Sequence, residues 1–296
     1  MKKKLVVFLK GYPFTISLVL FVINLIKHFV SFKNANTFTY NKLKSHITTQ
    51  GKDFIILGSG QSINELNDDD INYLNENISI GVGRWIYHSF IPNIYFLEVS
   101  EEPKMLVWLD DFAKLLNLKK KEYADVLIIF DGATKSTLIR NRIFKKVTKE
   151  LHCNILFSKT IIPPTGDIKY LYHTIKLFRL FKFVNFLNLT LHCRSSVVLS
   201  AIMGLNLGFK KVILIGVDGY TGYFQSWDNQ LFHSDYGGLE KNKNYSLHST
   251  SNPKFGSPTV PECFYLLNEK FIKIEVFTKN TILFPRLNIS YNKKYI

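Results

Sequence analysis

The stretch Asp53–Leu66, DFIILGSGQSINEL, constrains this chain more than any other. Asp53 to Leu57 read as a strand, Gly58 and Gly60 free the backbone on either side of Ser59, and Ser62 is placed to cap a helix that starts there. A strand, a glycine turn and a helix N-terminus form a phosphate cradle. Two glycines let the main chain approach an anion, and the first amides of the helix point at it with the positive end of their dipole. A plain strand-to-helix connection has the same outline, so a motif of this kind needs partners elsewhere in the chain before it means a site.

From residue 53 onward, apolar runs alternate with helix-compatible stretches. The runs are Ile78–Val82, ending at Gly83 and Arg84, then Ile94–Val99, Val126–Phe130, Asn154–Phe157, Val212–Val217 and Ile272–Phe277. Helical stretches are expected at Asn67–Asn77, from Ser195 or Ser196 to about Leu207 with Gly208 as the stop, and at Glu262–Lys270. The alternation predicts βαβ units in a mostly parallel, doubly wound, Rossmann-like α/β sheet. Each run stops at polar or charged residues, where the ligand groups of an open parallel sheet stand. With 296 residues, 46% of them hydrophobic, the chain can bury one substantial core.

The formal net charge of +15 calls for an acidic partner. Nucleic acid is disfavoured, because the lysines are scattered as pairs and triples with no zinc-finger spacing, basic helix or RNP-like aromatic strand. Cys153, Cys193 and Cys263 are too dispersed for a zinc site or a disulfide framework and are expected as small buried hydrophobes.

The N-terminus is a region of another kind. MKKK precedes an apolar segment in which Gly11 to Ile26 carry no charge, and Lys27, His28 and Lys33 follow. A full crossing needs about 20 apolar residues. Residues 1–34 are therefore read as a membrane anchor or interfacial helix, whether spanning or lying on the bilayer, with 35–52 as a polar linker and 53–296 as the Rossmann-like domain. The body would then stand at the cytoplasmic face of a bacterial inner membrane, against an anionic surface.

Beyond Val217 the run ends in Asp218, Gly219 and Tyr220, and residues 223–261 follow with little hydrophobic periodicity. A connection that long without regular structure is more often a functional lid than slack. It contains His233 and His248, the latter in SLHSTSN.

The GSG turn, the serine heading a helix in RSSVV, the run GFKKVILIGVDGY, Tyr220, Tyr223 and the histidine of SLHS together resemble the bacterial sialyltransferases of glycosyltransferase family 42, the lipooligosaccharide type. The resemblance implies that Gly58, Ser59 and Gly60, with Ser62 and Asp218 nearby, hold the CMP part of a CMP-sialic acid donor. It also implies that Ser196, with Ser195 beside it, contacts the donor sugar, that Tyr220 and Tyr223 stabilise the departing phosphate, and that His248 takes the proton of the acceptor hydroxyl. The acceptor would be a cell-surface glycan such as lipooligosaccharide. No cofactor or metal is implied, since neutral donors and helix dipoles can stabilise the leaving CMP. Homo-oligomerisation stays open.

Two positions depart from the family pattern. Arg84 and Glu98 stand where the family shows asparagines; an arginine can hold a donor carboxylate or phosphate, while a glutamate repels it. A related nonulosonate or CMP-Kdo is the alternative donor. The rival functions are a pyrophosphokinase-like or flagellin-modification nucleotide enzyme and a membrane-tethered binding module. On this reading Gly60→Val blocks donor binding and leaves the fold largely intact.

Overall fold

The computed structural model describes residues 12–30, 40–132, 139, 142–143, 154–163, 166–180, 189–191, 193–220 and 246–290. Among the described residues nine strands lie in one sheet: β1 Phe54–Leu57, β2 Ile78–Val82, β3 Ile94–Glu98, β4 Leu127–Asp131, β5 Asn154–Ile161, β6 Leu189–Leu191, β7 Lys211–Ile215, β8 Lys273–Val276 and β9 Asn288–Ile289. The helices are α1 Pro13–Val30, α2 Tyr40–His46, α3 Asp68–Glu76, α4 Pro103–Leu118, α5 Ile168–Leu180, α6 Ser196–Leu207 and α7 Val260–Lys270.

The strand order is β6-β5-β4-β3-β2-β1-β7-β8-β9, and every neighbouring pair is parallel. The expected Rossmann-like α/β fold is what forms. Because parallel strands are covered on both faces, the central ones are buried along their whole length rather than alternating with polar residues. The period of two sorts their side chains into two cores. Phe54, Ile56, Ile80, Phe96 and Leu214 join one face with α6 and α7, while Ile55, Leu57, Tyr95, Leu97 and Ile213 join the other with α4.

Helix α6 crosses the centre of the first face and is apolar almost all round. Nine of its twelve residues are buried, as expected for a helix with neighbours on every side. Ser195 caps it, its side chain accepting from Val198 N–H, and Gly208 ends it at φ +94°, as the sequence predicts. A Cβ at Gly204 would meet the Phe54 ring at 2.6 Å, so the glycine sets how closely α6 approaches β1. Reciprocal capping boxes start α3 (Asn67 with Asp70) and α7 (Thr259 with Glu262).

Several expectations change. Gly58–Gly60 lead into a short 3-10 turn, Gln61–Glu65, whose N-cap is Gly60 with no side-chain cap bond, so Ser62 caps nothing. Lys211 pairs with Asp53 at 2.7 Å where β7 and β1 begin. Of the segment 35–52, expected as a linker, Tyr40–His46 is α2, and Leu43 and Ile47 are buried in the core. The short strands β6 and β9 and helix α5 were not foreseen. Within 223–261, residues 246–259 contain two 3-10 turns, Ser249–Ser251 and Pro253–Phe255, before α7 begins. Cys193 and Cys263 are buried free thiols with sulfurs 3.6 Å apart; Cys153 lies outside the described residues.

At the N-terminus, α1 packs along α5. Phe21, 1% exposed, meets the Phe178 ring edge-on at 6.4 Å, and the buried Ser17 donates to Tyr170 O. Among the described residues no helix is long and apolar enough to cross a membrane.

Candidate active site

In an open parallel sheet the ligand crevice lies at the carboxyl ends of the strands, where the winding reverses. Here that point falls between β1 and β7. The chain leaves β1 toward β2 on one side, and β7 pairs with β1 on the other. The turn after β1 carries Gly58, Ser59 and Gly60; the turn after β7 carries Gly216, Asp218 and Tyr220.

These two turns are locked together by backbone. Gly58 N–H donates to Ile215 O at 2.8 Å and Gly60 N–H to Gly216 O at 2.7 Å. A Cβ at Gly58 would stand 2.3 Å from Gly216 O, and one at Gly60 would stand 2.4 Å from Asp218 Oδ2. Gly216 itself sits at φ +66°, with the Ile63 side chain where a Cβ would go. The glycines thus admit a neighbouring loop, and the expectation that Gly60→Val spares the fold is corrected: the added side chain strikes protein, not donor.

Asp218 completes the lock. Its buried carboxylate accepts from Ser62 N–H at 2.9 Å and from the Ser62 hydroxyl. Burial raises its pKa above the ordinary carboxylate range, and the Ser62 bonds oppose that rise. The Ser62 amide, part of the expected cradle, is therefore given to Asp218. Ser62 and Asp218 hold the turn's shape. Ser59 is the partly exposed member, with its hydroxyl nearest the open side of Gly83 at 3.7 Å from where a Cβ there would lie.

The rim continues along the same edge. Gly83, at φ +61°, and Arg84 follow β2, and the Arg84 guanidinium lies over the Trp108 ring, 5.3 Å from its centroid. The loop behind it is stiff. The Tyr95 hydroxyl donates to Gly83 O, and the buried Lys119 ammonium donates to Ile86 O at 2.7 Å and His88 O at 2.6 Å. Burial brings Lys119 down to about 8, and burial together with the Lys119 charge brings His88 down to about 3. At the end of β3, exposed Glu98 accepts from the Ser196 hydroxyl at 3.3 Å. Next along, buried Asp131 accepts from Ser158 and Thr190, tying the ends of β4, β5 and β6.

His248 comes to the same place. Tyr220 and Leu247 form an antiparallel bridge, and His248 N–H donates to Gly219 O at 2.9 Å. Arg194, just before the α6 cap, donates from Nε to Pro258 O at 2.8 Å and from its terminal nitrogen to Gly256 O. One arginine thereby ties the lid's return segment to the serine pair. His248 Nδ1 lies 2.8 Å from Thr250 Oγ1. Nδ1 also accepts from the Thr250 backbone N–H at 3.3 Å, so Thr250 holds the Nδ1 lone pair and the neutral ring carries its proton on Nε2. Partial removal from water lowers the His248 pKa, although the residue as a whole is exposed, so the ring is neutral at neutral pH.

The structure thus gathers Gly58, Ser59, Gly60, Ser62, Asp218, Tyr220 and His248 at the β1/β7 junction. Ser195 and Ser196 stand at the head of α6, and Arg84 lies at the end of β2. Tyr223 and His233 lie outside the described residues. Sequence reasoning missed Arg194, Thr250, Lys119 and the pair formed by Glu65 with Thr278 and Asn280, which fastens the 61–65 turn to the end of β8. Only the φ of +63° at Arg194 marks it as unusual, and that is invisible in sequence. Among the described residues no group of three or more His, Cys, Asp or Glu is placed to hold a metal ion. A basic depression lined by Arg179, Lys210, Lys270 and Lys273 lies at the opposite end of the sheet, where β7 and β8 begin.

No protein-family model matches the chain, and no curated protein sequence matches it. Among solved structures, the chain is similar to the sialyltransferase CstII from Campylobacter jejuni in complex with cytidine-5'-monophosphate, at 17% identity and a TM-score of 0.45 over 84% of this chain and 90% of that one. It is similar to CST-II in complex with a trisaccharide acceptor and CMP, at 16% identity and 0.45 over 81% and 87%. A third likeness is to the monofunctional alpha-2,3-sialyltransferase Cst-I from Campylobacter jejuni, at 17% identity and 0.46 over 83% of each chain.

Proposed function

We propose that this chain is a glycosyltransferase that moves a sialic acid, or a related nonulosonate, from a CMP-activated donor to a glycan hydroxyl such as that of lipooligosaccharide. The observation that carries this reading is the convergence of Tyr220, His248 and the Gly58–Gly60 turn at the β1/β7 junction, with the Ser195–Ser196 helix start tied to the lid by Arg194.

Each part has a task in such a transfer. The bond between the anomeric carbon and the phosphate oxygen of CMP breaks, and its electron pair leaves with CMP. The acceptor oxygen bonds to that carbon from the opposite face, inverting it, and its proton passes to the His248 ring. Ser59 and the Tyr220 hydroxyl stand as neutral donors for the departing phosphate, and Arg84 as the charged partner of a phosphate or carboxylate. The donors are fixed before the reaction, because the turns bearing them are braced by Asp218 and Lys119.

CMP-Kdo, another CMP-activated acid sugar, is the alternative donor, because Glu98, whose carboxylate accepts from Ser196, stands where the resembling family shows an asparagine. Offering the protein CMP-sialic acid, CMP-Kdo and UDP-sugars with a lipooligosaccharide acceptor, and measuring nucleotide release by mass spectrometry, tests both. Release of CMP from one of the two CMP-sugars, undiminished in EDTA, is the expected result. ATP turnover with strict magnesium dependence would favour the pyrophosphokinase reading, and CMP binding without any release would favour a binding module.

A further inference from the structure

Large apolar side chains left exposed among the described residues are concentrated in one place. Tyr12, Phe14, Val19, Val22, Ile23 and Ile26 are half of the twelve, and all belong to α1 or the residue before it. A concentration of that kind on one element marks a contact surface.

Helix α1 has two apolar sides. The inner side is occupied: Phe21 and Ser17 are buried against α5, and Leu18 and Leu25 pack on the core. On the outer side Val19, Val22, Ile23 and Ile26 recur at i, i+3, i+4 and i+7, one continuous stripe. Asn24, the polar residue in its midst, donates its amide back to Leu20 O, so the stripe carries a satisfied polar group.

Charge selects the occupant. Residues 1–52 contain nine lysines and no acidic residue. Lys2, Lys3, Lys4 and Lys10 precede the helix in sequence, and Lys27 and His28 fall in its last turn, so basic residues bracket the apolar stripe at both ends. A second copy of this chain would bring lysine-rich segments against each other; anionic lipid headgroups would be attracted by the same residues. The length agrees with a helix lying flat. Eighteen residues span about 27 Å, short of the roughly 30 Å hydrocarbon core, and the inner side is already committed to α5.

We infer that the outer stripe of α1 is a membrane-docking surface that lies in the headgroup region of an anionic bilayer, parallel to it, with the catalytic body carried on the helix's other side. The test uses the full chain and its Ile23→Glu/Ile26→Glu variant, sedimented with vesicles of phosphatidylcholine alone or mixed with phosphatidylglycerol, at low and high salt, with light scattering for mass. The wild type is expected to bind mixed vesicles and to be released by salt. The variant should bind them roughly tenfold or more weakly with an unchanged Tm, because both side chains are exposed. Wild type that ignores both kinds of vesicle overturns the inference, as does a variant that binds as well as wild type. A wild-type dimer that binds no vesicles and becomes monomeric in the variant would assign the stripe to a second copy instead.

Discussion

The two halves of the candidate site are held in opposite ways. At the β1/β7 junction, Gly58, Gly60 and Gly216 leave no room for a Cβ, and the buried Asp218 fastens the facing turn through Ser62. Thirty residues beyond Asp218, His248 is exposed, joined to the body by a bridge beside Tyr220 and, through its segment, by the Arg194 guanidinium. For the proposed transfer this division gives rigidity where the donor's charge would be received and accessibility where the acceptor's proton would be taken. It also separates two ways of failing. Changes at the junction should cost stability first, and changes at His248 should cost chemistry alone.

The largest effect is expected from His248→Ala. Removal of the base should lower kcat/KM by roughly 10²–10⁴-fold while Tm stays at the wild-type value, because the exposed ring supports little packing. A comparable fall in Tm would break the comparison. Gly60→Val is expected to do the reverse, costing about 2–3 kcal/mol of stability in urea unfolding, since the new side chain meets Asp218 and Gly216 O. A variant with unchanged stability and lost CMP affinity would show that the turn faces donor rather than protein.

The junction side should also carry acid sensitivity. His88 is buried, accepts from Phe90 N–H and stacks on Trp85, and its pKa is brought down to about 3. As pH falls from about 6.5 toward 3, the unfolded chain takes up a proton that the folded ring refuses, so stability is lost through that window and is fully present above it. Unfolding followed by fluorescence should fall by roughly 2 kcal/mol or more between pH 7 and 4, and His88→Gln should flatten the slope. The smallest effect concerns Thr250. With the His248 pKa lowered, the ring stays neutral and competent below the ordinary imidazole value, so the acidic limb of kcat/KM should lie under pH 6.5. Thr250→Val removes the Nδ1 partner and should lower kcat/KM by less than about tenfold with a displaced limb; an unmoved profile would leave Thr250 as a turn residue only.

Much of the fold was legible because its causes are local. Ile78–Val82 and Lys211–Ile215 are strands because short apolar runs buried on both faces have few alternatives. Helix α6 begins at Ser195 and ends at Gly208 because a serine cap and a left-handed glycine act within one turn. Helix α5 was missed although its run, IKYLYHTIKLFRL, carries the helical period itself: Tyr170, Leu171, Thr174, Ile175, Leu177 and Phe178 recur every three to four residues and form its buried face. The role of Arg84 as a candidate anion partner was legible from its position after β2; the Trp108 ring beneath it was not, since that residue comes from α4.

From the sequence alone came seven of the strands, the helices that begin near Asn67, Ser195 and Glu262, the glycine turns, the Ser195 cap and a basic, acid-free N-terminus, all consequences of neighbours within a few residues. Tertiary structure decided what those glycines are for. Ser62 and Asp218 are 156 residues apart, and contact over such a distance leaves no local pattern. Only when β7 is laid beside β1 does the turn of DFIILGSGQSINEL meet a carboxylate that takes the Ser62 amide. The apparent cradle then becomes one fixed side of a candidate site whose other residues, Tyr220 and His248, arrive on other segments.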